Sequence, residues 1–244
     1  MTSEIHIRGT SDDPAVAAQA ALVDVGDELL AELSAKVALT TELRLSLAAK
    51  DEAQDGLKAC CERVLHHLVA TDRVMYAVAA GAADTRLLVR ALRAHHRLIA
   101  AHVADLGRSR HPEQLAAAAN AIVALFAACH EIERAVLWPA LAALPGVDLG
   151  CLLDDLTTVL RGGELHRPEV LDVREIPHGS RHPRIFGIYA RLPEGASFVL
   201  VNNHDPKPLR REFEATYSGQ FSWDYLESGP EQWQVRIGRM PVTV

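Results

Sequence analysis

The feature that most constrains the fold of this chain is an abrupt change of pattern near residue 163. Before it, alanine and leucine dominate, and apolar residues recur at steps of three and four, which is typical of amphipathic helices. After it, short strand-like runs alternate with helical ones, and nine of the twelve aromatic residues of the chain lie in this last third. Since 244 residues also suit two domains, we expect two separate cores.

The first part predicts four long helices and a short fifth one. The predicted ranges are 14–48, 52–80, 84–107, 112–144 and 148–161. Pro14 and Pro112 stand at the first turn of two of these helices, where proline is favoured. Because the connections are short, an antiparallel four-helix bundle is the expected packing.

The second part predicts the order β-α-β-α-β-β, which favours a two-layer α/β sandwich. Its predicted segments are a strand at 169–176, a helix at 182–192, a strand at 197–202, a helix at 206–217, and strands at 221–226 and 232–237. The class is therefore α plus α/β with two domains. The predicted divisions are a tail at 1–13, the bundle at 14–162, a linker at 163–168 and the α/β domain at 169–244.

The charge of the chain argues against some classes of partner. Lys and Arg number 25 and Asp and Glu 32, so the net charge of −7 provides no overall basic field for nucleic acid or an anionic membrane. Charged residues interrupt the apolar stretches, and the N-terminus lacks the pattern of a secretion signal. We therefore expect a cytoplasmic protein with reduced cysteines that binds neither nucleic acid nor membrane.

Polar side chains interrupt the apolar faces of three predicted helices. His67 and His96 occupy positions where a bundle favours aliphatic residues, and Cys129 and Glu133 lie one turn apart in the fourth long helix. Burying such groups without partners is costly, so they are expected to meet one another or a metal ion. The alternative is that each histidine is an ordinary hydrogen-bonded core residue.

Three segments carry a resemblance to a known family over about residues 14–160. They are 67–76, 95–98 and 129–141, and they resemble a hemerythrin-like (HHE cation-binding) domain. The resemblance implies a bundle that holds two irons through histidines and bridging carboxylates. It puts His67 and His96 on ligand positions, Asp72 or Thr71 on the first acid position, and Glu133 on the second.

The ligand set departs from that family in two places. The first helix has no histidine, and Cys129 stands four residues before Glu133. His67, His96, Cys129, Glu133 and Asp72 are too few for the familiar diiron oxygen carrier. The open alternatives are a metal-free bundle, a mononuclear iron or zinc site, and a surviving diiron site. With a metal, a redox response or a response to a small gas such as O2 or NO is expected.

The C-terminal part resembles a second family over about residues 169–239. The segments that carry the resemblance are 171–177, 182–186, 192–195, 198–209 and 219–223. They are similar to a domain of unknown function that is often attached to hemerythrin-like or cupin domains and is related to the TusA/SirA sulfur-carrier fold. Sulfur carriers act through a cysteine, but Pro177 and His178 occupy its neighbourhood and no cysteine follows Cys151. Persulfide relay is therefore not expected.

One turn of this domain is a candidate anion site. The strand-to-helix turn at 202–208 offers free backbone N–H groups and Lys207, with His182 and His204 as possible neighbours. The alternative is structural, with Asp205 as the N-cap and Pro206 in the first helical turn.

Together these observations predict a hemerythrin-like protein with a reduced or lost metal site, coupled to a domain that binds or signals. Enzymatic turnover is not indicated. The alternative is a metal-free module that binds a protein partner.

Overall fold

The computed structural model describes residues 13–40, 47–109, 111–166 and 168–241. The predicted tail, apart from Asp13, and the predicted end of the first helix at 41–46 lie outside the described residues. The helices are α1 (Pro14–Thr40), α2 (Leu47–Thr71), α3 (Ala77–Ala80), α4 (Ala83–Arg108), α5 (Pro112–Ile132), α6 (Trp138–Ala143), α7 (Leu149–Leu160), α8 (His178–Arg191) and α9 (Lys207–Tyr217). The strands are β1 (Val170–Asp172), β2 (Ser197–Asn202), β3 (Phe221–Ser228) and β4 (Trp233–Arg239).

Two of the predicted long helices contain a π-helical turn. The first turn, Asp72–Tyr76, joins α2 to α3, and the second, Glu133–Leu137, joins α5 to α6. Apart from these two π turns, the observed helices follow the predicted ranges closely. The agreement is expected because the predicted ranges come from the apolar pattern that also sets the buried face of each helix. Helix α1 packs against α2 and α5, and α4 packs against α2 and α5. The N-terminal part is therefore helical, and α7 packs against α1 and α2 beside these four long helices.

One helical stretch has the length and composition of a membrane span. It runs over Pro112–Ala143, and the segment between Glu113 and Glu131 carries no charged residue. Its buried side chains face α1 and α4, and the core helix of a soluble protein passes the same test of length and composition. Glu113 and Glu131 limit this uncharged segment to residues 114–130, just short of the roughly 18 to 20 uninterrupted residues that a membrane span needs.

The C-terminal part contains a mixed four-stranded sheet in the order β1-β2-β4-β3, with β1 parallel to β2 and the other pairs antiparallel. Phe198 lies opposite Ile237 and Leu200 opposite Val235, and all four side chains are buried. Arg236, which points to the other face, is exposed. Helices α8 and α9 complete the core through a cluster of aromatic rings around the fully buried ring of Phe213 of α9. The surrounding rings belong to Phe186, Tyr189, Phe221 and Trp223.

The two parts pack directly against each other. Helix α3 lies on α8 so closely that a β-carbon at Gly81 would come within 2.9 Å of the backbone of His182. Beside this contact, Oε2 of Glu212 forms an ion pair with Nη2 of Arg86 of α4 at 3.0 Å and lies 2.8 Å from Nδ1 of His182. The junction thus joins α3 and α4 of the helical part to α8 and α9 of the other part.

Candidate functional site

The hydroxyl of Tyr76 is the centre of a buried polar cluster in the helical part. It donates a hydrogen bond to Oε1 of Glu133 and lies 3.1 Å from Nε2 of His96, whose ring stacks on the phenol ring at 5.0 Å between centroids. Tyr76 is the last residue of the first π turn, and Glu133 is the first residue of the second. The two irregular turns therefore supply two of the three members. We call Tyr76, His96 and Glu133 the tyrosine cluster.

Burial determines the protonation of the tyrosine cluster. It raises the pKa of Glu133 to about 7, although the bond from Tyr76 acts in the opposite direction. Burial also raises the pKa of the Tyr76 phenol well above its ordinary value and lowers that of His96 to about 4. His96 is thus neutral at pH 7. Because the single hydroxyl proton goes to Glu133, the tautomer of His96 that completes the network carries its proton on Nε2 and donates it to the phenol oxygen.

His67 and Cys129 are buried near this cluster but have other surroundings. Nε2 of His67 lies 3.5 Å from Oγ1 of Thr71, and its ring meets that of Phe126 edge-on at 6.0 Å. Burial lowers the pKa of His67 to about 4 and raises that of Cys129 to about 12. At neutral pH these two residues are therefore an uncharged imidazole and a protonated thiol.

Asp72, the remaining predicted ligand, lies at the edge of the site and is paired with an arginine. Nε of Arg93 donates to its Oδ1 at 2.6 Å. Over the described residues, no group of three or more His, Cys, Asp or Glu side chains is placed to hold a metal ion. The structure therefore brings together His96 and Glu133 through Tyr76, leaves His67 and Cys129 beside them, and turns Asp72 toward Arg93.

A second buried histidine contact was not predicted. Nε2 of His130 lies 2.9 Å from Oδ1 of Asp27, across the contact between α5 and α1. The imidazole occupies the space left by the missing side chain of Gly26. The signal in the sequence was the pair Gly26-Asp27 on the helix where the family resemblance implied a histidine. Tyr76 was also missed as a site residue, although it is the only aromatic residue of its helix.

The predicted anion-binding residues each have a different partner. His182 contacts Glu212, Nδ1 of His204 lies 2.8 Å from Oδ1 of Asn203, and Nζ of Lys207 lies 3.0 Å from Oδ2 of Asp205. They do not converge on one point, and anion binding at this turn stays a prediction.

The alternative reading of this turn, with Asp205 as a helix cap, is wrong. Helix α9 begins at Lys207 after Pro206, without a side-chain cap, because the Asp205 carboxylate is occupied by Lys207 and by the hydroxyl of Tyr225.

Comparison with known proteins gives one finding, and it concerns the C-terminal part. Comparisons with curated proteins and with solved structures found no match. Residues 170–239 match the family described as an uncharacterized conserved protein (DUF2249). This segment, which contains the four strands and helices α8 and α9, therefore agrees with the predicted domain of unknown function.

Proposed function

We propose that residues 14–162 form a hemerythrin-like four-helix bundle that has lost its metal and serves, in the cytoplasm, as a regulatory module for the C-terminal domain. The contacts between the long helices support this arrangement, since α1, α2, α4 and α5 each pack against two of the others in a closed ring. The tyrosine cluster would then lie where a hemerythrin-like protein holds its metal.

The single observation that carries this proposal is the pair of contacts made by the Tyr76 hydroxyl. His96 and Glu133 are the two inner ligand positions that face each other, and the phenol already engages both. Cys129 carries a proton, since burial raises its pKa to about 12, and a metal ion would have to displace that proton to bind the thiolate. As arranged, the residues do not fit a metal ion.

Metal uptake by the full chain tests this proposal. The protein would be incubated without oxygen with Fe(II) or with Zn(II), desalted and measured by elemental analysis and optical spectroscopy. We expect wild type to retain no stoichiometric metal. Tyr76→Phe, which frees His96 and Glu133, should retain more of it.

Tyr189→Phe is the matched control, because it removes a hydroxyl that donates to the carbonyl of Gln220 at 2.7 Å and not to a member of the tyrosine cluster. It should behave as wild type. One iron or zinc per wild-type chain would contradict the proposal. Equal uptake by wild type and Tyr76→Phe would show that the hydroxyl is not what excludes metal.

A second candidate is a mononuclear iron or zinc protein that responds to O2 or NO. The two π turns favour it, because they begin at Asp72 and Glu133, the two predicted acid ligands, and π turns are frequent at functional sites. Stoichiometric metal in wild type that is lost in His96→Ala would support this candidate.

For the C-terminal part we propose a fold related to the TusA/SirA sulfur carriers, used for binding and not for sulfur transfer. The order of strands and helices and the mixed sheet support this proposal. A metal-free module that binds a protein partner is the related alternative. It predicts that a stable complex is recovered with the metal-free protein from its native cells.

A further inference from the structure

A cleft of about 570 Å³ lies at the junction of the two parts, separate from the predicted anion-binding turn. Its walls come from α2 and the first π turn, from α4, from the end of α8, and from segments at the end of α9 and of β4. This volume is in the range of sites that bind small molecules. Neither domain alone provides the complete cleft.

Positive charge dominates the walls of the cleft. Arg73, Arg93, Arg97 and Arg239 line it together with a single carboxylate, that of Asp72, which is bound to Arg93. Such an excess of guanidinium groups in a concave, partly desolvated site attracts anions.

The arginines are held in place by neutral groups as well as by Asp72. Nη1 of Arg239 donates to the carbonyls of Ala190 at 3.2 Å and Leu192 at 3.0 Å, and Nη2 of Arg73 donates to the carbonyl of Arg191 at 3.3 Å. A backbone carbonyl orients a guanidinium without cancelling its charge, as the two carbonyls do for Arg239. The cleft therefore presents positioned cations.

One buried donor in the wall lacks an acceptor. The hydroxyl oxygen of Tyr217 is buried, and its proton finds no acceptor among the residues that the structure describes. The nearby Arg93, whose guanidinium lies 5.6 Å from the centroid of the Tyr217 ring, is itself only a donor. A buried hydroxyl without an acceptor is unfavourable, and an oxyanion in the cleft would supply one.

Besides the polar side chains of His96 and Gln220, the rest of the wall is largely apolar. Leu65, Leu68, Val69 and Ala100 line the cleft beside the arginines, and Val69 is 64% exposed. An inorganic anion would use the charged groups and leave this surface in water. A ligand with an apolar body would cover it.

We propose that the junction cleft binds a small organic oxyanion, with its acidic head among the arginines and the hydroxyl of Tyr217 and its apolar body on Leu68 and Val69. Guanidinium groups recognise carboxylates and phosphates alike, so the acidic head is one of these two. Because Asp72 and His96, two of the predicted metal ligands, line the cleft, this inference rests on the proposed metal-free bundle.

Binding of matched probes to the full chain tests the proposal by isothermal titration calorimetry. Octanoate and octyl phosphate carry the two kinds of head on the same body, and octanol carries no charge. We expect at least one of the two anions to bind at one per chain and octanol to bind much more weakly. Tight binding of octanoate alone identifies a carboxylate ligand, and tight binding of octyl phosphate alone identifies a phosphate.

Two variants locate the binding site. Arg97→Gln and Tyr217→Phe should each lower the affinity for the anion, and Arg97→Gln should lower it by about tenfold or more. Arg90→Gln is the matched control, because Arg90 is exposed on the same helix and does not line the cleft. Since Arg97 is also exposed, its variant should fold. Failure of both anions to bind, equal binding of octanol, or equal weakening by Arg97→Gln and Arg90→Gln would overturn the proposal.

Discussion

At the scale of single residues, the protonation of Glu133 is the most consequential feature of the tyrosine cluster. Its side chain is only 4% exposed, and it shares the hydroxyl of Tyr76 with His96. Burial moves its pKa from the ordinary 4.5 to about 7. The folded protein therefore holds this proton more tightly than the unfolded chain does.

This difference predicts how stability depends on pH. The contribution of Glu133 is complete below about pH 4.5 and is lost as the pH rises through about 7. The Glu133→Gln variant lacks this pH-dependent contribution to stability. The contributions of His67 and His96 are present in both wild type and variant and cancel when the two are compared. The free energy of unfolding of wild type minus that of Glu133→Gln should therefore fall between pH 5 and pH 8, by up to about 3 kcal/mol.

Urea unfolding at several pH values measures this difference. Glu131→Gln is the control, because Glu131 is an exposed residue two positions away that contacts only Arg134 among the contacts described. The free energy of unfolding of Glu131→Gln should differ from that of wild type by nearly the same amount at every pH. A constant difference for Glu133→Gln as well would show that this carboxyl titrates as it does in water.

At the scale of the helices, α1 and α5 approach each other closely at Gly26. The imidazole of His130 lies against the backbone there and reaches Asp27. Glycine is unfavourable inside a helix, by up to about 1 kcal/mol relative to alanine. Its presence in α1 is explained by the space that the imidazole needs.

Gly26→Ala should therefore destabilise the protein, although alanine is the better helix former. We expect a loss of about 1 to 3 kcal/mol in the free energy of unfolding, because the new methyl group clashes with the buried ring of His130. Gly107→Ala is the control, since a β-carbon there meets nothing within 4 Å. It should unfold at the same or a slightly higher urea concentration. Equal stability of Gly26→Ala and wild type would disprove the close packing.

The sequence predicted the ranges of the helices and strands well, because both depend on local apolar periodicity. The strand Ser197–Asn202 agrees with the prediction and most helix ends agree within a few residues, but the strand predicted at 169–176 covers only Val170–Asp172. The two π turns were not predicted, since their geometry depends on contacts with other helices and not on local composition. For the same reason the bond between His130 and Asp27, 103 residues apart, was missed.

The candidate site was predicted less well than the fold. His96 and Glu133 were expected near each other and do share a partner, but the partner is Tyr76. A helical pattern shows which side chains face inward and does not show which of them come within hydrogen-bond distance. The arginine-lined cleft was also missed, because its residues come from separate elements of both parts.

At the scale of the whole molecule, two carboxylates of the described residues link the two parts. Glu212 on α9 forms an ion pair with Arg86 of α4 and lies within hydrogen-bond distance of His182 of α8, and its side chain is 24% exposed. Asp155 of α7 accepts a hydrogen bond from Arg191 of α8.

Glu212→Ala should weaken this junction. We expect a loss of about 1 to 3 kcal/mol in the free energy of unfolding, because Arg86 and His182, both partly buried, lose the carboxylate that they share. Hydrogen exchange of the backbone amides of α3 and α8 should also become faster. Glu214→Ala, an exposed position on the same helix, is the control and should change neither quantity. Unchanged exchange in Glu212→Ala would mean that this carboxylate does not hold the two parts together.

The place of Gly81 against the backbone of His182 bears on how the C-terminal domain can be transplanted. Any larger residue at position 81 would clash with the backbone of His182 and push the two parts apart. A chimera that fuses residues 170–239 to a foreign helical protein would therefore reproduce the native packing only where the recipient has a glycine at the position that contacts α8. Engineers who exchange this domain between hosts should carry that single residue along with it.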